Sequence, residues 1–388
     1  MKYFDTYVSN TLAGGGSQTV FYPEDRPFTG RIFYRITEGG RFNYSLLFSN
    51  TVDSTFSDGS VSRKNLVIDS WTIHSARLGI CKKLDFDAMC AETKEPCITM
   101  SETEEPRADH IAVSGFVPLT FEGKDSKQVA PGEFFATDPV SLCFESGEYL
   151  CFEITFQGKM LPFHAESILP AFVSEGDCWQ YSRLIPFPAM VGIDRKVAKK
   201  VAYIGDSITQ GCGTPINGYA HWNAVLSQKL PRENAYWNLG YGYARASDAA
   251  SNGAWLFKAK QNDYVAVCFG VNDIFHEYAA EGANSARNIK RSLNDIVDCL
   301  HASNVKVLVQ TVPPFDYPDH LTEIWREVNA FIRNELVQKA DAVFDCVPVL
   351  STGGADCPTA AYCGHPNVEG SAKWAEALLP AMESFLAL

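Results

Sequence analysis

No stretch of the chain approaches the roughly 18 uninterrupted apolar residues that a membrane-spanning helix needs, so a membrane span is not expected. Basic residues are scarce. Lys and Arg number 33 against 46 Asp and Glu, a formal net charge of −13. Phosphate binding asks for a basic footprint, which argues against a nucleic-acid partner; acidity otherwise bears on solubility and little more. The opening residues Met1-Lys2-Tyr3-Phe4-Asp5-Thr6 lack the basic segment and apolar run of a secretory signal. The 12 cysteines include no Cys-x-x-Cys pair, and Cys346, Cys357 and Cys363 with His365 do not have the spacing of zinc ligands. These absences lead us to expect a cytoplasmic protein with no metal, its thiols reduced and filling cores.

What is present divides in two. A length of 388 residues fits two domains, and 46% hydrophobic residues give each of them a core to bury. Up to about residue 190 the pattern is short strands broken by turn residues: 31–36, 42–48, 111–113, 117–121 and 149–156. Alternating apolar residues, many of them aromatic or β-branched, and Gly/Asp/Ser punctuation predict an all-β sandwich, jelly-roll-like, over residues 1–195. From residue 196 to 388 strands alternate with amphipathic helices. Strands are expected at 201–204, 236–239, 264–269, 305–312 and 342–346. Helices are expected near 219–230, 247–260, 286–302, 321–337 and 368–386, with Ile289, Leu293, Ile296, Val297 and Leu300 sharing one face. That alternation implies a parallel sheet with helices on both faces, and a site at the carboxyl ends of its strands.

Three short segments fall at those ends or in the last loop. The strand Val201-Ala202-Tyr203-Ile204 runs into Gly205-Asp206-Ser207. A serine hydroxyl becomes a nucleophile when a base takes its proton and a rigid turn exposes it. Thr209 stands where the elbow of the α/β-hydrolases needs glycine, which disfavours that fold. By itself Gly-Asp-Ser reads as a capping serine after a strand. The second segment, Gly270-Val271-Asn272-Asp273, ends another apolar strand; Asn272 is either a turn asparagine or an amide donor to the oxyanion of a tetrahedral intermediate. The third is Gly364-His365-Pro366-Asn367, where His365 has the ordinary pKa of a general base and opens the last helix. His221, His301 and His320 are expected on solvated helix surfaces, and His276 is the one rival near the site.

The order Gly-Asp-Ser, Asn238-Leu239-Gly240, Gly-x-Asn-Asp and late His-Pro-Asn resembles the SGNH/GDSL hydrolase superfamily over about residues 197–388. The resemblance implies a three-layer α/β/α domain in which Ser207 is the nucleophile, His365 the base, and the Ser207 N–H and Asn272 amide are oxyanion donors. It implies no cofactor. Two positions depart from the family pattern. The glycine whose N–H completes the oxyanion hole falls on Tyr243, and a glycine sits one place earlier; because tyrosine tolerates a positive φ badly, Gly242 is the candidate donor and Tyr243 its competitor. The aspartate expected three residues before the histidine is Tyr362. A main-chain carbonyl could orient His365 in a Ser–His dyad, Asp356 could fold back as the orienting acid, or catalysis could be impaired.

The upstream half is similar to the β-sandwich of two-domain members, some of them carbohydrate esterases. That likeness implies hydrolysis of short acyl esters, above all acetyl esters of carbohydrates, with a small molecule or an oligosaccharide as substrate. A lipid acylhydrolase or thioesterase, and a carbohydrate-binding protein whose catalytic half has decayed, are the alternatives. Trp222, Trp237 and Trp255 are expected in the core, and Trp179 is a candidate for lining the cleft.

Overall fold

The computed structural model describes residues 2–53, 65–84, 112–175, 178–275 and 286–388. They form two compact units. One takes in the described residues of Met1–Val52, Leu66–Lys196 and Pro215–Asn217; the other those of Asp53–Asn65, Val197–Thr214 and Gly218–Leu388.

The first unit is all-β apart from the short helix Tyr3–Thr6, and all its strand pairs are antiparallel. In one sheet Gly40–Ser49 pairs with Met190–Ile193, Phe134–Ala136 and Val140–Phe144. In the other, Tyr149–Gln157 lies between Phe28–Arg35 and Trp71–Cys81. Alternation places Ile32, Tyr34, Phe152 and Ile154 on one face, all buried. Phe48 of the first sheet meets Phe152 of the second at 5.9 Å between ring centroids, so the two sheets share this core. The expected segment 111–113 is not a strand where it is described: Ile111 lies outside the described residues, and Ala112 and Val113 lead into the strand Ser114–Leu119.

The second unit holds a parallel sheet of five strands in the spatial order Ala235–Gly240, Lys200–Gly205, Tyr264–Cys268, Lys306–Gln310, Ala342–Phe344. Its central strands are buried on both faces, with Val201, Ala202, Tyr203 and Ile204 at 1% exposure or less. Helices Trp222–Lys229 and Val368–Leu386 pack together, with Trp222 stacked on Trp374 at 4.9 Å. Ala286–His301 packs on Ala246–Ala250 and on Asp319–Asn334. Ile289, Leu293, Ile296, Val297 and Leu300 all lie on its buried face.

Two helices differ from the sequence expectation, each at a left-handed residue. Tyr219 has φ +52°, so the helix begins only at Trp222. The helix expected over 247–260 is two, Ala246–Ala250 and Ala254–Ala259, broken where Asn252 takes φ +57° ahead of Gly253. Among the described residues no helix is long and apolar enough to cross a membrane.

Cys81, Cys143, Cys151, Cys212, Cys268, Cys299, Cys346, Cys357 and Cys363 are free thiols. Cys81, Cys151, Cys268 and Cys346 fill cores, whereas Cys143 and Cys363 are exposed, against the expectation.

Candidate active site

Gly205 ends the Lys200–Gly205 strand in a confined space. A Cβ there would stand 2.1 Å from Thr209 Oγ1 and 2.4 Å from the Cys268 carbonyl oxygen. Only glycine lets the chain turn this close to the neighbouring strand. Asp206 then caps the short helix Ser207–Gln210, its Oδ1 accepting from the Ile208 N–H at 3.0 Å. Gly240 ends the adjacent strand under the same constraint: a Cβ would meet Gln210 N at 2.3 Å. Between these strand ends the Asn238 amide donates to the Thr209 carbonyl at 3.1 Å, and its Oδ1 accepts from the Gly240 N–H at 2.9 Å. The Asn-x-Gly segment is thereby tied to the helix that carries Ser207.

Ser207 and His365, 158 residues apart in the chain, meet here: Ser207 Oγ lies 2.7 Å from His365 Nε2. Burial pulls the His365 pKa down to about 4, with no contribution from a charged neighbour. The ring is thus neutral at ordinary pH, with Nε2 placed to accept the serine proton. Among the described residues Ser207 is its only hydrogen-bond partner; neither a main-chain carbonyl nor a carboxylate hydrogen-bonds the ring. Asp356, the candidate orienting acid, is exposed and lies 3.7 Å from Arg333 Nη1. In the structure no hydrogen bond joins Asp356 to His365. Tyr362 faces another cation, its hydroxyl accepting from Lys373 Nζ at 2.6 Å.

Asn272 lies in the short helix Val271–Phe275 that follows Gly270, a glycine at φ +132°. Its Nδ2 donates to the Ala244 carbonyl at 3.0 Å. An amide nitrogen carries two hydrogens, and one of those of Asn272 holds the 241–244 turn. Asp273 is fully buried and accepts from the Ala246 N–H at 2.9 Å; desolvation raises its pKa to about 6.

The conformational argument against Tyr243 does not hold. Tyr243 itself adopts φ +59°, at the position where the family pattern has glycine. The left-handed region costs an L residue about 1–2 kcal/mol. The turn that holds it is closed by Ala244 N–H donating to the Tyr241 carbonyl at 3.3 Å and by Tyr241 N–H donating to the Gly205 carbonyl at 3.0 Å.

Several residues of this region escape sequence reasoning. Phe315 packs edge to face with His365, ring centroids 5.1 Å apart at 78°. Gly213 presses on the same histidine: a Cβ there would stand 2.6 Å from its carbonyl oxygen. The Gly211-Cys212-Gly213 run after the short Ser207–Gln210 helix and the Pro313-Pro314-Phe315 loop after a strand were the available signals, since both mark constrained backbone. Beside the turn, Lys258 and Asp53 form a fully buried ion pair. Tyr241 Oη donates to Asp53 Oδ2 at 2.7 Å, and Lys258 Nζ donates to Tyr241 Oη at 3.0 Å. Burial raises the Asp53 pKa and lowers that of Lys258, against the pull of the partner charge.

The other histidines separate. His320 is exposed and His301 pairs with Asp341 at 2.8 Å. His221, expected in solvent, is 1% exposed, because it sits at the start of the Trp222–Lys229 helix against Gly211 and 3.4 Å from the Asn238 amide. His276 lies outside the described residues. Trp222, Trp237 and Trp255 are buried, and Trp179 lies in the all-β unit beneath the Arg31 guanidinium at 4.1 Å. Among the described residues no three His, Cys, Asp or Glu side chains converge on a metal position.

Residues 203–373 match the model of the GDSL-like Lipase/Acylhydrolase family. Among solved structures, the chain is similar to a member of the lipolytic protein G-D-S-L family from Veillonella parvula, 17% identical, with TM-score 0.38, covering 47% of this chain and 98% of that one. It is similar also to an acetylxylan esterase from Geobacillus stearothermophilus, 16% identical, TM-score 0.37, covering 48% of this chain and 94% of that one. No curated protein matches the sequence.

Proposed function

We propose that this GDSL-like lipase/acylhydrolase domain, residues 203–373, is a serine esterase that cleaves short acyl, above all acetyl, esters of carbohydrates in the cytoplasm. The observation that carries the reading is the 2.7 Å, part-buried contact between Ser207 Oγ and the neutral Nε2 of His365. His365 takes the proton as Ser207 Oγ attacks the ester carbonyl carbon. The oxyanion is held by the Ser207 N–H, the second N–H of Asn272 and an N–H of the Gly242–Tyr243 turn. Such donors act in a dry, preorganised site, and losing one costs about 3–4 kcal/mol. The alcohol leaves with the proton from His365, and water activated by the same nitrogen then frees the acid from the acyl-enzyme.

The carbohydrate preference rests on the likeness of the upstream half's strand pattern to the β-sandwich of two-domain members, some of them carbohydrate esterases. A decayed catalytic unit in a carbohydrate-binding protein is the competing reading, favoured by Tyr362 in place of a carboxylate. Hydrolysis of aryl esters from acetate to decanoate, and of acetylated sugars, by wild type and Ser207→Ala separates them. The expected result is Ser207-dependent turnover, fastest on acetate. Absence of Ser207-dependent turnover on every ester would sink the esterase reading, and a preference for long chains would move the substrate to lipids.

A further inference from the structure

A serine hydrolase needs its imidazole held with one nitrogen on the nucleophile, and in the usual triad a carboxylate does this by hydrogen bonding to the other nitrogen. Here the ring meets no carboxylate among the described residues. What it does meet is Phe315, at 5.1 Å and 78°, within the edge-to-face range that aromatic pairs prefer. The same phenyl ring lies flat against the residue before the base: a Cβ on Gly364 would stand 2.9 Å from two of its carbons. Phe315 therefore contacts both the imidazole and the backbone that delivers it.

Phe315 is itself fixed from two directions. Its N–H and that of Asp316 both donate to the Pro358 carbonyl at 3.1 Å. Its ring is backed by Phe275 at 5.4 Å and Tyr317 at 6.4 Å. Tyr317 stacks on Phe275 at 5.2 Å and leans on Trp325 at 6.0 Å. Trp325 is wholly buried and anchored by its indole N–H to the Val312 carbonyl at 3.0 Å. Gly213 limits the histidine through its backbone, with room for a hydrogen but not a methyl.

We propose that Phe315 is the positioning residue for His365, holding the imidazole on Ser207 by packing where a triad would use a carboxylate. The proposal rests on the esterase reading for its kinetic consequence but not for its structural one. A flat ring backed by other aromatics restricts rotation of the imidazole about its bond to Cβ; a flexible aliphatic side chain of similar volume would not. Misplacement of a reacting group by about 1 Å can cost 100-fold in rate, so partial loosening should be read in kcat.

Phe315→Leu and Phe315→Tyr would be compared with wild type on an aryl acetate. Phe315→Leu is expected to lower kcat about tenfold or more with KM within about twofold, and Phe315→Tyr to recover most of that loss. Unchanged kcat in Phe315→Leu, or a loss confined to KM, would overturn the proposal, the latter making Phe315 a substrate contact instead. Ring-nitrogen NMR of His365 gives a readout that needs no turnover. A changed Nε2 resonance, from a loosened hydrogen bond to Ser207, is expected in Phe315→Leu; identical spectra would refute the positioning role even if the protein hydrolysed nothing. Should Phe315→Leu fail to fold, Gly364→Ala tests the same contact, since its methyl must push the phenyl ring away. Unchanged kcat and ring-nitrogen shifts in that variant count equally against the proposal.

Discussion

Two polar clusters of the α/β unit handle charge in opposite ways. Ser207 and His365 form a neutral pair: the imidazole is partly removed from water, its pKa falls to about 4, and no carboxylate among the described residues hydrogen-bonds it. Asp53 and Lys258 are also removed from water, yet each finds a full opposite charge and both contact the Tyr241 hydroxyl. A buried ion pair is retained only with good geometry, because desolvation costs about as much as the attraction returns. The reacting pair gains from the reverse arrangement. A base left without a carboxylate stays deprotonated far into the acid range, at the expense of the imidazolium stabilisation a triad provides. The unit thus uses charge to fix Tyr241 beside the Gly242–Tyr243 turn and, in our proposal, packing to fix the base.

The comparison can be broken first at the ion pair. Lys258→Met leaves Asp53 buried without its cation, and should destabilise the protein by about 3–5 kcal/mol in urea unfolding. Adding Asp53→Leu should restore most of the loss, as removing both charges is often neutral. A Lys258→Met protein as stable as wild type would mean that Asp53 is protonated and the pair is not ionic.

The second effect is on pH dependence. A base contributes while deprotonated, so kcat/KM should stay level as pH falls below the ordinary histidine value of about 6.5 and decline only toward the depressed value of about 4. An acid limb at 6.5 or above would show that a carboxylate reaches His365 in solution and supports its protonated form. The smallest effect is expected from Asp356→Ala. With its carboxylate exposed beside Arg333, its loss should change kcat/KM by less than about twofold, as for surface charges away from a site. A loss matching that of His365→Ala would restore Asp356 as a third triad member.

Much of this was legible in the residues because it is local. The face of the 286–301 helix follows from a 3.6-residue period, and all five parallel strands lie within segments where apolar runs end in Gly or polar residues. What was lost turned on single backbone dihedrals. Asn252 and Tyr219 in the left-handed region shortened or split helices whose side-chain patterns were helical. Tyr243 took the same region against its own preference, because the Tyr241–Ala244 turn and the Asn272 amide hold it there. His221 became buried for a similar reason: helix position says where a residue points only once the neighbouring strand end is in place.

The motifs in the chain determined that Ser207 and Asn272 follow strands of one parallel sheet and that His365 sits in the loop before the last helix, since period and punctuation are local properties. Only the tertiary structure decided which groups those residues then meet. Asp356 pairs with Arg333, Tyr362 with Lys373, and His365 with Phe315 and Gly213. A side chain's partner depends on where distant backbone comes to rest, to within an ångström or two. No spacing rule along the chain carries that distance.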